Sequence, residues 1–201
     1  MAIKVKTGSE STILSVGAYR PARLVPNSEI VDLIDSSDEW IVQRTGIESR
    51  RFAGADESVV DMAIGAAEQA LTRAKLTITD VDAVVVSTIT YPHQAPSAAT
   101  AVIQRMGHPT AAAFDISAAC AGFCYGVAMA HDMVRAGSAK KVLVIGVEKI
   151  SDFTDPTDRA TAFIFADGAG AVIIGESVEP GIGPVEWGSD SENRDAILMN
   201  P

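Results

Sequence analysis

The chain has 201 residues, of which 47% are hydrophobic and 21% charged, and its formal net charge is −10. This composition is typical of a soluble globular protein with a substantial core, and the negative charge argues against nucleic-acid binding, which needs a basic face. The sequence has no apolar run long enough to span a membrane, no secretory signal over residues 1–6 and only two cysteines, which together favour a reducing, cytoplasmic location.

The first quarter of the chain predicts one strand and two capped helices. Residues 1–51 hold seven basic and seven acidic side chains, so an anionic ligand is expected to meet this part of the chain. Arg50 and Arg51 have a second interpretation, the commoner one, as a solvated strand end. The elements are a strand over 13–19, a helix over 28–35 capped by Asn27, and a helix over 39–42 that follows the cap signal at 36–38 and ends at Thr45–Gly46.

Strands and helices alternate between residues 58 and 147. This alternation predicts right-handed βαβ units and a sheet covered on both faces. The predicted elements are a helix over 58–74, a strand over 81–88, a helix over 97–106 closed by Gly107, a strand over 111–116, a helix over 121–135 and a strand over 141–147.

The last part of the chain predicts a polar loop over 151–159 and then a hairpin. Its strands are expected at 162–166 and 171–175, with a tight turn at 167–170. The glycines of that turn resemble a dinucleotide loop, but such a loop opens a helix, and here a β-branched strand follows. Residues 189–194 are polar and turn-like, and the end at 199–201 is interpreted as an interruption.

Cys120 is the candidate nucleophile. It lies where a predicted strand turns into a predicted helix, and the helix dipole with its free N–H groups favours the thiolate there. The small residues around it leave room for a substrate carbonyl. The alternative is a small buried hydrophobe, the usual role of a free cysteine. His93, His108 and His131 are poorly placed as its base, since His131 lies about 16 Å along the helix.

Other residues have plain and functional interpretations. Cys124 is expected in the core, and the sequence offers too few ligands for a zinc site. Trp40 and Arg44 are four residues apart on a helix, so they could stack on an adenine ring, although the spacing alone favours a core aromatic and an ordinary surface charge. Pairing with Asp155 and Asp158 would account for Arg159.

Four stretches of this sequence together resemble β-ketoacyl-acyl carrier protein synthase III of the thiolase superfamily, most closely its actinobacterial members. The resemblance runs from about residue 13 to 187. It implies an α/β, thiolase-like fold, with residues 1–201 as the N-terminal half of a layered αβαβα architecture and a mixed sheet covered by helices. The stretches are Ser36–Ile47, Ala118–Phe123, Asp155–Arg159 and Phe165–Ala171.

The resemblance also implies a mechanism for fatty-acid or polyketide initiation. Cys120 would take the acyl group of an acyl-CoA, with its N–H as half of the oxyanion hole. The acyl-enzyme would condense with malonyl-acyl carrier protein, giving a 3-oxoacyl product and carbon dioxide, without any cofactor or metal. By similarity, Trp40 and Arg159 hold the CoA adenine, Arg44 lies near the phosphates, and Ser36 replaces a hydroxyl near the adenine.

The sequence departs from the family in one large respect. The family's second half carries a histidine and an asparagine that stabilise the charge developed during decarboxylation, and neither motif occurs here. We therefore expect the C-terminal domain to be absent from this chain and the chain alone to lack condensing activity. The alternative is a non-catalytic dimerisation or acyl-CoA-binding half, active only with a partner.

A smaller departure concerns the acyl pocket. In the family, the residue at Ala95 reaches across a homodimer into the partner's pocket, where some members have a bulky aromatic ring. Ala95, together with Phe123, implies a roomier pocket that accepts branched or medium-length starters. A starter subunit of a polyketide synthase would share the Trp40–Arg44 and Cys120 motifs, so the sequence does not separate the two enzymes.

Overall fold

The computed structural model describes residues 10–197. Within this range, no helix combines the length and apolar character needed to cross a bilayer. Residues 1–6, where the sequence predicted no secretory signal, lie outside the described residues. Residues 199–201, where it predicted an interrupted end, also lie outside them. The elements are β1 (Glu10–Tyr19), β2 (Arg23–Pro26), α1 (Asp38–Thr45), β3 (Ser49–Phe52), α2 (Val59–Ala74), β4 (Ala83–Ser87), α3 (Ala98–Arg105), β5 (Ala112–Ile116), α4 (Gly122–Ala136), β6 (Lys141–Glu148) and β7 (Gly168–Ser177).

Five strands form the main sheet in the order β1-β7-β6-β4-β5. β4 pairs in parallel with β5 and β6, whereas β7 is antiparallel to β6 and β1. The carboxyl ends of β4, β5 and β6 therefore share one edge with the start of β7, because Gly168 pairs with Glu148. This is the edge at which open α/β sheets bind ligands.

Helices cover both faces of this sheet, as predicted. α2 and α3 pack on one face, against side chains such as Val84 and Leu143. α4 packs on the other face, against Val85 and Val144. The alternation along each strand explains this division, because successive side chains point to opposite faces. Every residue of β4 is buried, as expected for a central parallel strand.

A second, two-stranded sheet joins β2 and β3 in antiparallel register. The sequence did not predict it. The helix predicted over 28–35 was also wrong, since only a 3-10 turn spans Asn27–Glu29. Asn27 does not cap that turn: its side chain donates to Asp38 and to the Ile47 carbonyl instead.

The predicted hairpin is absent from the described part of the chain. Residues 162–166 form turns and coil rather than a strand. Ala162 and Phe163 are apolar because they pack into a small core with Ile41 of α1. The glycines assigned to a turn lie inside β7, where Gly170 pairs with both Ala18 and Gly146.

Candidate active site

Cys120 is exposed at the junction between β5 and α4. A short 3-10 turn over Ala119–Ala121 joins the two elements, and Ala119 has a positive φ of 44°. A non-glycine residue rarely adopts this conformation, which is typical of strained functional turns. No side chain caps the start of α4, so the helix end favours negative charge at this place.

Cys120 opens into a cavity of about 300 Å³ at the carboxyl edge of the sheet. Gly146 lets the Phe123 ring lie close to β6, since a Cβ on this residue would come within 3.1 Å of the ring. Phe123 itself lines the cavity beside Cys120. The lining residues are Ser87, Ala119, Cys120, Phe123, Gly146, Val147, Glu148, Ala166, Gly168, Ala169 and Gly170.

Glu148 is a lining residue that the sequence analysis missed. Its carboxylate accepts hydrogen bonds from the Thr90 hydroxyl at 2.6 Å, the Thr88 hydroxyl at 3.2 Å and the Ile89 N–H at 3.0 Å. Burial raises the pKa of the Glu148 carboxyl, and these hydrogen bonds act in the opposite direction. An acidic residue that closes the apolar run of β6 was the available signal.

No histidine lines this cavity within residues 10–197. His131 is buried and bonds Ser11 through Nδ1 at 2.6 Å. His108 bonds the Val81 carbonyl through Nε2 at 3.2 Å, and the ring of His93 packs on the ring of Tyr91.

Trp40 lies at the centre of a cluster of planar side chains. The Arg44 guanidinium lies 4.2 Å above the centre of its ring, and that of Arg159 lies 5.5 Å away. Phe163 packs edge-on against the same ring at 5.3 Å. The structure thus brings Trp40, Arg44 and Arg159 together. Stacking of guanidinium groups on an indole is favourable.

Arg159 does not pair with Asp155 or Asp158, so that interpretation was wrong. Asp155 accepts from Thr157 and Asp158 from Thr161. The Arg159 guanidinium instead lies 3.6 Å from the Asp35 carboxylate and donates to the Asp35 carbonyl. Next to Asp35, the Ser36 hydroxyl oxygen is buried and has no hydrogen-bond partner in the described structure.

Arg50 is buried, with 4% of its surface exposed, so the interpretation as a solvated strand end was wrong for it. Its Nη2 donates to Asn27 Oδ1 at 2.6 Å and to the Phe163 carbonyl at 3.2 Å. Its Nη1 contacts the Val25 carbonyl at 3.4 Å. The tertiary contacts of β3, which the sequence did not predict, are what bury it.

Two further residues lie apart from the cavity. Cys124 is exposed, so its predicted place in the core was wrong. Ala95 is also exposed and does not line the Cys120 cavity. It precedes α3, whose first N–H groups bond Asp115 of β5.

Comparison with known proteins identifies related sequences and structures. Residues 114–191 match the model of the 3-oxoacyl-[acyl-carrier-protein] synthase III family. β-Ketoacyl-[acyl-carrier-protein] synthase III 1 of Streptomyces coelicolor is 55% identical over 92% of this chain and 54% of its own length. The synthase III of Streptomyces glaucescens is 54% identical over 92% of this chain and 56% of its own.

A solved structure extends the similarity to the fold. The priming β-ketosynthase of the R1128 polyketide biosynthetic pathway superimposes with a TM-score of 0.88 and 43% identity, over 92% of this chain and 55% of that one. The chain therefore has a thiolase-like α/β fold, with a mixed, helix-covered sheet and an exposed cysteine at the carboxyl edge. Among proteins with this fold, the chain belongs to the β-ketoacyl-[acyl-carrier-protein] synthase III family, which confirms the resemblance. It spans about half the length of the curated relatives that it matches.

Proposed function

We propose that the enzyme containing this chain transfers an acyl group from acyl-CoA to Cys120 and then condenses it with malonyl-acyl carrier protein. The products are a 3-oxoacyl-carrier protein and carbon dioxide. The observation that carries this proposal is the exposed Cys120 near the start of α4, at a cavity lined in part by glycines. The identity to synthase III enzymes supports the same chemistry.

The first step is a thioester exchange. The Cys120 thiolate attacks the acyl carbonyl, its S–C bond forms, and the bond to the CoA sulfur breaks, so that CoA leaves as a thiolate and takes up a proton. The N–H of Cys120 would stabilise the oxyanion of the intermediate. No cofactor is needed, because the thioester itself supplies the activated acyl group.

The planar cluster is proposed to bind the nucleotide end of CoA. This cluster consists of Trp40, Arg44, Arg159 and Phe163, and both guanidinium groups lie within 5.5 Å of the centre of the Trp40 ring. An adenine ring could stack there, and a guanidinium suits the phosphates. The buried, unpartnered Ser36 hydroxyl is a donor or acceptor available to the same ligand.

The second step needs groups that the cavity does not supply. Loss of carbon dioxide from the malonyl group leaves an electron pair that is delocalised onto the thioester oxygen, and this oxygen needs hydrogen-bond donors. We propose that residues 1–201 are the N-terminal domain of the enzyme and that a C-terminal domain provides a histidine and an asparagine. The non-catalytic alternative requires that Cys120 take no acyl group.

The enzyme is proposed to work as a cytoplasmic homodimer. β5 is an edge strand of the sheet and is only half-buried along most of its length, so a second copy of the chain could cover it. The loop that carries Ala95 adjoins β5 through Asp115. A methyl group at this position leaves room for branched acyl chains in the partner's pocket.

Intact-mass measurement of the 201-residue chain with acetyl-CoA or isobutyryl-CoA tests the proposal. We expect one acyl adduct, which the Cys120→Ala variant loses completely and the Cys124→Ala variant keeps. The two variants are matched, because each removes one exposed thiol from the same segment. Absence of an adduct on the wild-type chain, or an adduct that persists in Cys120→Ala, would contradict the nucleophile assignment.

A further inference from the structure

Arg50 is a buried cation whose hydrogen bonds all go to neutral oxygen atoms. The acceptors are the Asn27 side-chain oxygen and the carbonyls of Val25 and Phe163, and its Nε has no partner in the described structure. Burying a guanidinium without a carboxylate in contact is costly for folding. Stability alone would favour an apolar side chain here, so the position of the group needs another explanation.

One set of Arg50 hydrogen bonds connects it to α1 through Asn27. Asn27 accepts from Arg50 and donates to Asp38 at 2.7 Å and to the Ile47 carbonyl at 2.7 Å. Asp38 is the first residue of α1, and Ile47 follows the glycine that ends the helix. Asn27 therefore holds both ends of the helix that carries Trp40 and Arg44.

Another Arg50 hydrogen bond leads to the other side of the planar cluster. Arg50 donates to the carbonyl of Phe163 at 3.2 Å, and the Phe163 ring packs against Trp40 at 5.3 Å. Phe163 lies four residues after Arg159 in the same turn-rich segment. One guanidinium thus links the helix that carries Trp40 and Arg44 to the segment that carries Arg159.

We propose that Arg50 is a positioning residue for the nucleotide end of acyl-CoA. It fixes the spacing between α1 and residues 159–163, and so between the side chains that would enclose the adenine. The inference rests on the proposed function, because it assumes that the planar cluster binds CoA. A planar, forked group is required, since it bonds acceptors in two directions at once, which an ammonium group on a flexible stem does less well.

Two acyl donors separate a positioning role from a structural one. Isobutyryl-CoA carries the nucleotide, whereas the isobutyryl thioester of N-acetylcysteamine carries the same acyl group without it. In the Arg50→Met variant, we expect the isobutyryl-CoA concentration that gives half-maximal acylation of Cys120 to rise at least about tenfold. This is the order expected when a hydrogen-bonded charge is removed. The acylation rate with the short thioester stays at the wild-type value.

The neighbouring arginine provides the matched control. Arg51 lies on the same strand, and its guanidinium bonds the carbonyls of Ala22 and Pro21 rather than the planar cluster. Arg51→Met is therefore expected to leave both thioesters unaffected. Equal losses with both donors in Arg50→Met, or no loss with isobutyryl-CoA, would overturn the proposal, because the first indicates general destabilisation and the second no role.

A binding measurement keeps the inference separate from catalysis. In a Trp187→Phe background, Trp40 is the sole tryptophan of the chain. A change in its fluorescence then measures the binding of CoA without any acyl transfer. Arg50→Met is expected to weaken CoA binding by the same factor, and Arg50→Lys, which keeps the charge if Arg50→Met does not fold, by a smaller one. The inference is refuted if Arg50→Met folds and both it and Arg50→Lys bind CoA as the wild type does. It is also refuted if the wild-type chain binds no CoA. If the wild-type chain binds CoA but Cys120 takes no acyl group from acyl-CoA, only the proposed function is refuted.

Discussion

Glu148 is the only carboxylate among the described residues that line the Cys120 cavity. It has no cationic partner there, and its hydrogen-bond donors are two hydroxyls and one backbone N–H. Burial raises its pKa, so the folded protein holds the proton to a higher pH than the unfolded chain does. The protonated acid is therefore the form that folding favours.

This pKa shift predicts a pH-dependent stability difference between the wild-type chain and Glu148→Gln. The group imposes no ionisation penalty below its unfolded value of 4.5. As the pH rises from there through the raised folded-state pKa, the wild type loses stability and the glutamine variant does not. Urea unfolding at pH 4.5, 6 and 8 measures the trend. A constant difference, or a similar trend in the exposed control Glu186→Gln, would contradict it.

Single residues show where sequence reasoning succeeds and fails. The position of Cys120 between a strand and a helix followed from local patterns, and the structure exposes it there. The predicted burial was wrong for Cys124, which is exposed, and the predicted exposure was wrong for Arg50, which is buried. Burial depends on which distant elements cover a residue, and the β2–β3 sheet that buries Arg50 has no local signature.

At the scale of the element, α2 begins with a reciprocal cap. The Ser58 hydroxyl accepts from the Asp61 N–H, and the Asp61 carboxylate accepts from the Ser58 N–H. Asp61 also pairs with Arg105 of α3 at 2.7 Å. The Ser58 hydrogen bonds and Arg105 lower the pKa of Asp61 from 3.8 to about 2, against an opposing desolvation effect.

Asp61→Asn is expected to lower the free energy of unfolding by about 1 kcal/mol at pH 7, the usual scale of a cap after screening at a partly exposed site. The loss shrinks as the pH falls from about 4 through the folded-state pKa of about 2, because the wild-type carboxylate becomes protonated over this range. Denaturant unfolding across that range checks both statements. Asp132→Asn, on the exposed face of α4, is the control, and an equal loss there would remove the cap from the explanation.

β1 lies unusually close to α2 at Gly17. A Cβ at this position would be 2.1 Å from the Ala66 carbonyl oxygen and 2.5 Å from the Ala70 nitrogen. Both neighbours are helix backbone, so neither can turn aside. Ser15 Oγ donates to the Ala70 carbonyl at 2.7 Å and holds the strand in this position.

Gly17→Ala is therefore expected to destabilise the fold by about 3 kcal/mol or more, at the upper end of overpacking effects. Thermal and urea unfolding measure the loss. Gly183→Ala is the matched control, since a Cβ there has no atom within 4 Å, and it should change stability little. Similar values for both variants would show that the strand and helix can move apart without cost.

The starts of the helices with strong cap signals were predicted to within one residue. α1, α2 and α3 begin after Ser37, Ser58 and Ser97, each of which accepts a hydrogen bond from the first turn. Short apolar runs were less reliable, because a turn that packs in a small core has the same composition as a strand. Residues 162–166 illustrate this, since Phe163 is buried without any strand pairing.

For the whole molecule, the sequence predicted the class of fold but not its strand pairing. Alternating strands and helices indicated a sheet covered on both faces, which the structure confirms. Nothing local revealed that β7 would lie between β6 and β1 and run antiparallel to both. That pairing brings Gly168 beside Glu148 and forms the floor of the cavity, so the site could be predicted only as a nucleophile without its surroundings.

The chemistry of the cavity leads to a prediction for the 201-residue chain. Acylation needs a thiolate and an activated carbonyl, and both are provided once acyl-CoA binds. Condensation also needs donors for the oxygen that gains charge as carbon dioxide leaves, yet no histidine, asparagine, lysine or arginine is among the lining residues within 10–197. Loss of one such donor typically costs about 100- to 1,000-fold in rate.

The chain is therefore expected to accumulate the Cys120 acyl adduct and to form 3-oxoacyl product from malonyl-acyl carrier protein at least about 1,000-fold more slowly than the Streptomyces coelicolor synthase. Release of labelled carbon dioxide and mass spectrometry of the carrier protein measure the two products independently. The Cys120→Ala variant sets the background. Turnover near that of the complete synthase would show that groups within this chain stabilise the developing charge, and the proposed division of the chemistry between two domains would then be wrong.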